Sequence, residues 1–355
     1  MSKTYLVKLR PLSSYYFGGE LGFGGGDSRN YLVRSRKWPQ QTGLLGMVRY
    51  LLLQEKGWLA EKGKPVDPEG KKIIGDSSFA LGDEKAGWGG KMDFGEIESL
   101  SPVFLMKGDE KYYRAPRNHG YDTKPFTDAT VWYGGTPGEF QPAIELKGFE
   151  AKKGLEKADF VTTLAFDKLF TDKAVFQAVE QTGIEKGEGG ETKDQALYKQ
   201  TFYRLAKDWS FGFYLTVKDD AEIPASARVP FGGEKRLFAW EAGLREPQPP
   251  WLREPQPPIG LFLLSDALVS PEILDHCDFA VTETEDFRFL ETVAAETVEY
   301  SQITRGDKKA PRKSEKYNLL KAGSVLYPKD KTKVETMLHS ERLRQIGYNH
   351  FTYIS

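Results

Sequence analysis

One cysteine, Cys277, stands among 355 residues. That excludes an internal disulfide and any zinc site built on thiolates. Histidine is almost as scarce. His119, His276, His339 and His350 are scattered, and no two share the i, i+3 or i, i+4 spacing of a helical metal-binding pair. An excess of either charge is missing too: 50 Lys and Arg face 51 Asp and Glu, for a net charge of −1. A free-standing nucleic-acid binder usually carries a clear positive excess, so any such contact must come from a local patch or from a groove completed by partner subunits. No apolar run approaches a membrane span, and the opening MSKTYLVKLRPL has no signal-peptide core. The expectation is a cytoplasmic protein with no membrane contact.

The usual marks of an enzyme are also missing. The Gly-rich segment GGELGFGGGDSRN (18–30) lacks the Lys-Ser or Lys-Thr of a phosphate-binding loop. Gly22 and Gly24 fit a dinucleotide fingerprint, but Asp27 stands where the third glycine belongs. There is no Gly-x-Ser-x-Gly elbow. Asp219 and Asp220 are neighbours at a strand end, where a turn explains them better than paired-acid chemistry. His119, in RAPRNHGYD, has the pKa range for acid-base work, yet no second base is placed beside it. No catalytic residue, cofactor or metal is expected.

What the chain does hold is enough apolar material for sizeable cores, 39% of residues, with 13% aromatic. KTYLVKLR (3–10) alternates as a half-buried strand. TGLLGMVRYLLLQEK (42–56) is the clearest helix, capped by Thr42 or Gln41 and ended by Gly57, with Leu44, Leu45, Val48, Leu51 and Leu52 on one face. A strand, a loop and such a helix suggest a ferredoxin-like or RRM-like βαβ unit. Residues 57–95 read as loops with a short strand, 97–104 as a strand, 173–182 as a short helix, and 183–197 as a loop or hairpin tip. Two strands separated by a turn at Lys207–Ser210 follow in 197–217. The octapeptide LREPQPPW (244–251) is nearly repeated as LREPQPPI (252–259), and proline at that density implies an extended surface loop. Residues 260–270 form a strong apolar run; strands are expected over 293–303, 319–330 and 346–354, a basic loop over 306–318 and a helix over 331–345. The overall rhythm is α+β with two βαβ-containing halves, divided as 1–150 and 151–355, with a final strand able to return to the first domain.

Three segments carry local positive charge or close-approach glycines. Residues 28–50 hold Arg29, Arg34, Arg36, Lys37 and Arg49 and no acidic residue, with Tyr31 and Trp38 interleaved. Cations supply backbone affinity and aromatic rings supply base stacking. The helix start adds free N–H groups, and Gly43 and Gly46 allow a sugar-phosphate backbone to approach. The bland alternative is a solvated basic loop beside an ordinary amphipathic helix. A second basic cluster runs from Arg305 to Lys316, and a solvated hairpin tip explains it as well. In PFGGEKRLFAW (230–240), Gly232 and Gly233 suggest a bulge or close backbone approach, and Lys235 and Arg236 follow; a charged β-turn is the plain reading.

In order along the chain these segments resemble the RAMP proteins of type III CRISPR complexes. The pattern Pro-x-x-Thr-Gly-x-x-Gly-x-x-Arg is met at Pro39, Thr42, Gly43, Gly46 and Arg49. SPVFLMKGDEKYYRAP (101–116), FGGEKRLF (231–238), AGSVLYP (322–328) and IGYNHF (346–351) resemble further elements of that family. The best likeness is to the type III-B (Cmr-type) subunit that caps the 5′ end of the guide RNA. The proline repeat has no counterpart in it, and the last loop carries fewer glycines than many RAMP proteins. The resemblance implies two fused ferredoxin-like domains and a non-catalytic subunit gripping the 5′ tag of the crRNA. It also implies contact with the large polymerase/cyclase-like subunit and with the backbone RAMP subunits. On it, Arg29, Arg34, Arg36 and Lys37 would contact phosphates, with Tyr31 or Trp38 stacking on a base. Thr42, Gly43, Gly46 and Arg49 would form a helix-side cradle, and Gly232, Gly233, Lys235 and Arg236 a second contact. Three alternatives stay open: a metal-independent endoribonuclease on the same scaffold using His119 or His350, a capping subunit of another type III subtype, and an interaction protein with no RNA contact.

Overall fold

The computed structural model describes residues 2–18, 32–60, 66–79, 90–117, 129–134, 141–146, 159–186, 192–234, 236–245, 260–291, 312–313 and 316–354. The chain opens with β1 (Ser2–Pro11), β2 (Leu32–Arg34), α1 (Gln41–Glu55) and α2 (Pro68–Ile74). Next come β3 (Ile97–Leu100), β4 (Phe104–Lys107), β5 (Glu110–Arg114), β6 (Ala129–Gly134), β7 (Gln141–Leu146), β8 (Phe160–Thr162) and β9 (Leu169–Thr171). The middle holds α3 (Asp172–Val175), β10 (Phe176–Lys186), β11 (Thr192–Leu205), β12 (Trp209–Lys218), β13 (Ser226–Pro230) and β14 (Leu237–Leu244). After the repeat follow β15 (Gly260–Leu263), a 3-10 helix (Pro271–His276), β16 (Cys277–Val281), β17 (Thr284–Phe287), β18 (Leu290–Glu291), β19 (Arg312–Lys313), β20 (Tyr317–Leu320), β21 (Val325–Pro328), α4 (Lys331–Leu338), α5 (Glu341–Gln345) and β22 (Phe351–Ile354).

The central strands of the first sheet run β14-β1-β12-β4, each antiparallel to its neighbour. Counted in chain order this is 4-1-3-2, the ferredoxin-like order. The second sheet, β22-β15-β21-β16, repeats it with four strands of its own, again all antiparallel. Two ferredoxin-like units are therefore present. The sheets do not divide at residue 150: β1 pairs with β12 and β14, so the first unit runs to about residue 245, and the proline repeat bridges β14 and β15. The final strand β22 stays in the second sheet.

Strand alternation sorts the core into layers. Val7, Leu9, Phe211, Phe213 and Leu215 leave one face of the first sheet and pack with Leu44, Leu45, Val48 and Leu52 of α1. The opposite face carries Leu6, Phe104, Met106 and Tyr214, which meet Phe262, Leu264, Val325, Tyr327 and Ile354 of the second sheet. The outer face of that sheet presents Leu261, Leu263 and Leu326 to Val334 and Leu338 of α4 and to Ile273. The order is helix, sheet, sheet, helix. A period of two on strands and 3.6 on helices is what makes such layering readable.

Several expectations need correcting. The N-cap of α1 is Gln40, whose side chain makes no capping bond; Gln41 and Thr42 are already helical. Residues 57–95 include α2, capped by Asp67 with Pro68 in the first turn. Residues 176–182 belong to β10, leaving only one helical turn at Asp172–Val175, because Val175, Phe176 and Val179 fit a pleated surface. The turn at 206–208 is present, yet β11 and β12 do not pair; they enter different sheets. The 331–345 helix breaks at His339–Ser340, where Ser340 caps α5. The repeat, the 293–303 strand and most of the 306–318 loop lie outside the described residues.

Leu45 is fully buried between α1 and the first sheet. Leu45→Ala is expected to cost about 2–5 kcal/mol, measured as a lower urea midpoint with an unchanged slope.

Candidate nucleic-acid interface

The exposed stripe of α1 follows from its sequence. With Leu44, Leu45, Met47, Val48, Leu51, Leu52 and Leu53 buried, the exposed residues are Gly43, Gly46, Tyr50, Gln54 and Glu55, and the first four of them, three or four apart, form one stripe. Two of the four are glycines, so the helix has a shallow side. Facing it is the corner between β13 and β14. Pro230, Phe231 and Gly232 come from that corner, Phe17 from the segment after β1, and Pro39 and Gln40 from the helix entry. Together with Met47 and Tyr50 they line a groove of about 270 Å³. Phe231 Cε2 lies 3.5 Å from where a side chain on Gly43 would begin, whereas Gly46 meets nothing within 4 Å.

The corner is fixed by backbone contact with Tyr16. Gly232 adopts φ +79°, and a Cβ there would run into the Tyr16 carbonyl. Gly233 donates its N–H to that same carbonyl at 2.7 Å. Arg236 lays its guanidinium 4.7 Å from the Phe202 ring centre, and Phe202 packs against Tyr16. The close approach expected of the two glycines is thus to the chain's own backbone. Lys235 lies outside the described residues.

The basic run divides sharply. Arg34 is exposed on β2, which pairs in parallel with β11. Arg36 pairs with Glu285 at 3.0 Å and donates to the Asp286 carbonyl at 2.7 Å, tying the helix entry to β17. Lys37 pairs with Asp172 at 2.8 Å and Asp159 at 3.6 Å. Burial works against the Lys37 ammonium, but those carboxylates hold its pKa above the ordinary lysine value. Arg49 donates to the Asp76 carbonyl and lies over Phe94, and burial brings its guanidinium down to about 10. Trp38 is buried against Phe176 and Phe211, with the Arg114 guanidinium 5.2 Å from its ring centre. Arg36 and Lys37 are therefore internal partners in place of the expected phosphate ligands, Arg49 is an internal partner in place of a cradle residue, and Trp38 is core in place of a base platform. The carboxylate partners of Arg36 and Lys37 sit more than a hundred residues away in sequence, so the run looked unopposed when read alone. Arg29 and Tyr31 lie outside the described residues, and half-buried Thr42 is in the first turn of α1.

Phe17, Tyr50 and Phe231 were not singled out from sequence. Tyr50 was within reach of that reading, since it continues the stripe of Gly43 and Gly46; Phe231 adjoins Gly232. Among the described residues no cluster of His, Cys, Asp and Glu could hold a metal ion, and no helix is long and apolar enough to cross a membrane.

His350 is half-buried, with its ring engaged inside the fold and absent from the lining of the α1 groove. Its ring Nε2 lies 2.9 Å from the Arg344 carbonyl, and burial pushes the imidazole down to about 4. The folded pKa is below the unfolded value, so the unfolded chain takes up the proton first and stability falls as pH drops from about 6.5 towards 4. His350→Gln, which keeps a donor, is expected to remove up to roughly 3 kcal/mol of that acid sensitivity, read from urea melts at pH 7 and pH 4.5.

A family model described as CRISPR-associated protein (Cas_Cmr3) matches residues 142–355, more than half of the chain. No curated protein matches. Among solved structures, a chain of the type III-B Cmr-beta complex bound to cognate target RNA aligns at 15% identity and TM-score 0.51, covering 98% of this chain and 96% of that chain. A chain of the same complex with cognate target RNA and AMPPnP, state 1, gives the same identity, TM-score and coverage. The likeness to these structures is one of fold.

Proposed function

From the premise that this chain belongs to the Cas_Cmr3 family of CRISPR-associated proteins, we propose that it is a non-catalytic subunit whose α1 groove holds the 5′ tag of a crRNA in a type III-B effector complex. The observation that carries this reading is the convergence of two sequence-distant motifs on one groove: Gly43 and Gly46 from the helix, and Phe231 and Gly232 from the corner. A shallow glycine face admits a sugar-phosphate backbone. Exposed Tyr50 offers a ring for a splayed base, the mode by which single-stranded RNA is usually held, and the buried Phe231 with Phe17 supplies the apolar floor beneath it. Exposed Arg34 lies on β2, seven residues ahead of the helix, and supplies charge near its entry. Arg236 and, outside the described residues, Arg29, Tyr31 and Lys235 complete the set on the RAMP resemblance.

A near-zero net charge accords with a subunit that docks on others: the large polymerase/cyclase-like subunit and the first backbone RAMP subunit are the partners this reading assigns. The position of His350 speaks against its use as an acid-base group on an exposed RNA, which leaves the endoribonuclease alternative resting on His119, outside the described residues.

The direct test is to recover the tagged full-length chain from its host and identify what co-elutes. A large polymerase-like subunit with RNAs sharing one 5′ sequence supports the reading; a lone protein that cleaves repeat RNA, or one with neither RNA nor partners, rejects it. At residue level, Gly46→Ala is expected to stabilise the helix by about 1 kcal/mol, because a Cβ there has open space. Gly46→Leu should fold equally well but fill the groove and weaken RNA binding. Arg34→Ala should lower the salt slope of binding by about one phosphate contact. Unchanged affinity in Gly46→Leu, measured by fluorescence anisotropy with a labelled tag oligonucleotide, removes the groove from the RNA path.

A further inference from the structure

The second unit reaches across to the helix that lines the groove. Leu343, Ile346 and Tyr348 leave their own sheet and join the core of the first unit beside Leu44 and Leu45. The turn that carries them is pinned on both sides. Gln345 accepts from the Met92 N–H at 3.2 Å and donates to the Met92 carbonyl at 3.0 Å. Asn349, fully buried at φ +58°, accepts from the Leu268 N–H at 2.8 Å and donates back to its carbonyl at 3.2 Å. Between these two anchors lies Gly347.

Gln41, the first residue of α1, is buried and donates its amide to two carbonyls, Ser101 at 2.9 Å and Ile346 at 3.3 Å. Gly347 stands at φ +91°, and a Cβ on it would overlap the Gln41 amide nitrogen outright and come within 2.7 Å of the Ser101 carbonyl. α1 has no side-chain cap and no acidic residue in its first turn, so its own first residues do not cap it. Arg36 and Lys37 hold the segment that leads in, and the bonds made by the first helical residue itself come from β3–β4 and from a turn more than three hundred residues later.

We infer that the Gln345–Asn349 turn is a positioning element: by holding Gln41 it sets the pose of α1, and with it the spacing of Gly43 and Gly46 from Phe231. This rests on the groove reading above and deepens it, because it gives the glycine-containing C-terminal turn an effect on RNA binding without contact to RNA. A small misplacement of a preorganised site costs affinity out of proportion to the distance moved.

The test uses the full chain with Gln345→Ala, which removes two hydrogen bonds and adds no bulk, and Gly347→Ala, which inserts the overlapping methyl. Val334→Ala, in the outer core beneath α4, serves as a control that lowers the melting temperature far from α1. Two readouts are taken where all variants are folded: hydrogen exchange of the Leu44–Met47 amides, the first to be bonded within the helix, and affinity for a tag oligonucleotide. The inference expects both turn variants to lose exchange protection at the start of α1 and to bind RNA about tenfold more weakly, while Val334→Ala changes neither. Should Gln345→Ala lower only the melting temperature, as the control does, the turn is ordinary packing and the inference is overturned. Lost protection with unchanged affinity also overturns it. Failure of the wild-type chain to bind any tag RNA counts against the groove reading instead, and the exchange data then still decide whether the turn holds the helix.

Discussion

Leu6, Phe104, Met106 and Tyr214 point out of one sheet and meet Phe262, Val325, Tyr327 and Ile354 coming out of the other. Among the described residues no helix joins this layer, so each sheet is the other's cover. The consequence reaches the groove. With one face of the first sheet closed by the second, α1 can pack only on the opposite face, and its outward stripe is then the side left for a ligand. Burial of apolar surface drives this arrangement, and it is non-directional. The direction comes from polar contacts at the flank: Arg36 to Glu285, Arg117 to Glu283 and to the Gly323 carbonyl, and the 345–349 turn.

The division of labour among the basic residues follows from that geometry. In a half-buried setting a cation is held by carboxylates that the chain brings to it: Arg36 takes Glu285 from the second unit, and Lys37 takes Asp159 and Asp172 from its own. Arg36, Lys37 and Arg49 each lie within a turn or so of exposed Arg34 or Gly46 in sequence, yet they face inward. A local run of positive charge is thus a poor guide to surface potential when the chain returns later with acids for it.

How much was legible in the sequence varies by element. β1, α1 and β12 were readable because each carries its own period: KTYLVKLR alternates, and the leucines of α1 recur on one face; the β4–β5 hairpin was legible through resemblance. The ferredoxin-like pair was legible only through resemblance, since strand order is a non-local property. The unit boundary escaped at residue 150 because β12 and β14 belong to a sheet begun by β1, and no local pattern records that pairing. The short helix expected at 173–182 gave way to β10, where a long hairpin partner, β11, outweighed local propensity. Of the site, Gly43, Gly46 and Gly232 were found by their conformational meaning. Their aromatic neighbours were not, because Phe17 and Phe231 face the groove through tertiary placement alone.

The pairing of Ser2 with Lys218 and of Tyr5 with Leu244 bears on how the protein is made. During synthesis β1 emerges ahead of its partners and has no sheet to join until about two hundred residues have followed it. The Ile346 carbonyl that Gln41 meets is made about three hundred residues after Gln41. At about 5–20 residues per second, the amphipathic α1 waits on the order of tens of seconds with its leucine face uncovered and its entry unfixed. Contacts this distant make folding slow and expose apolar surface meanwhile. A ribosome that stops short of residue 346 would therefore release a chain whose first sheet is complete but whose groove has never been set.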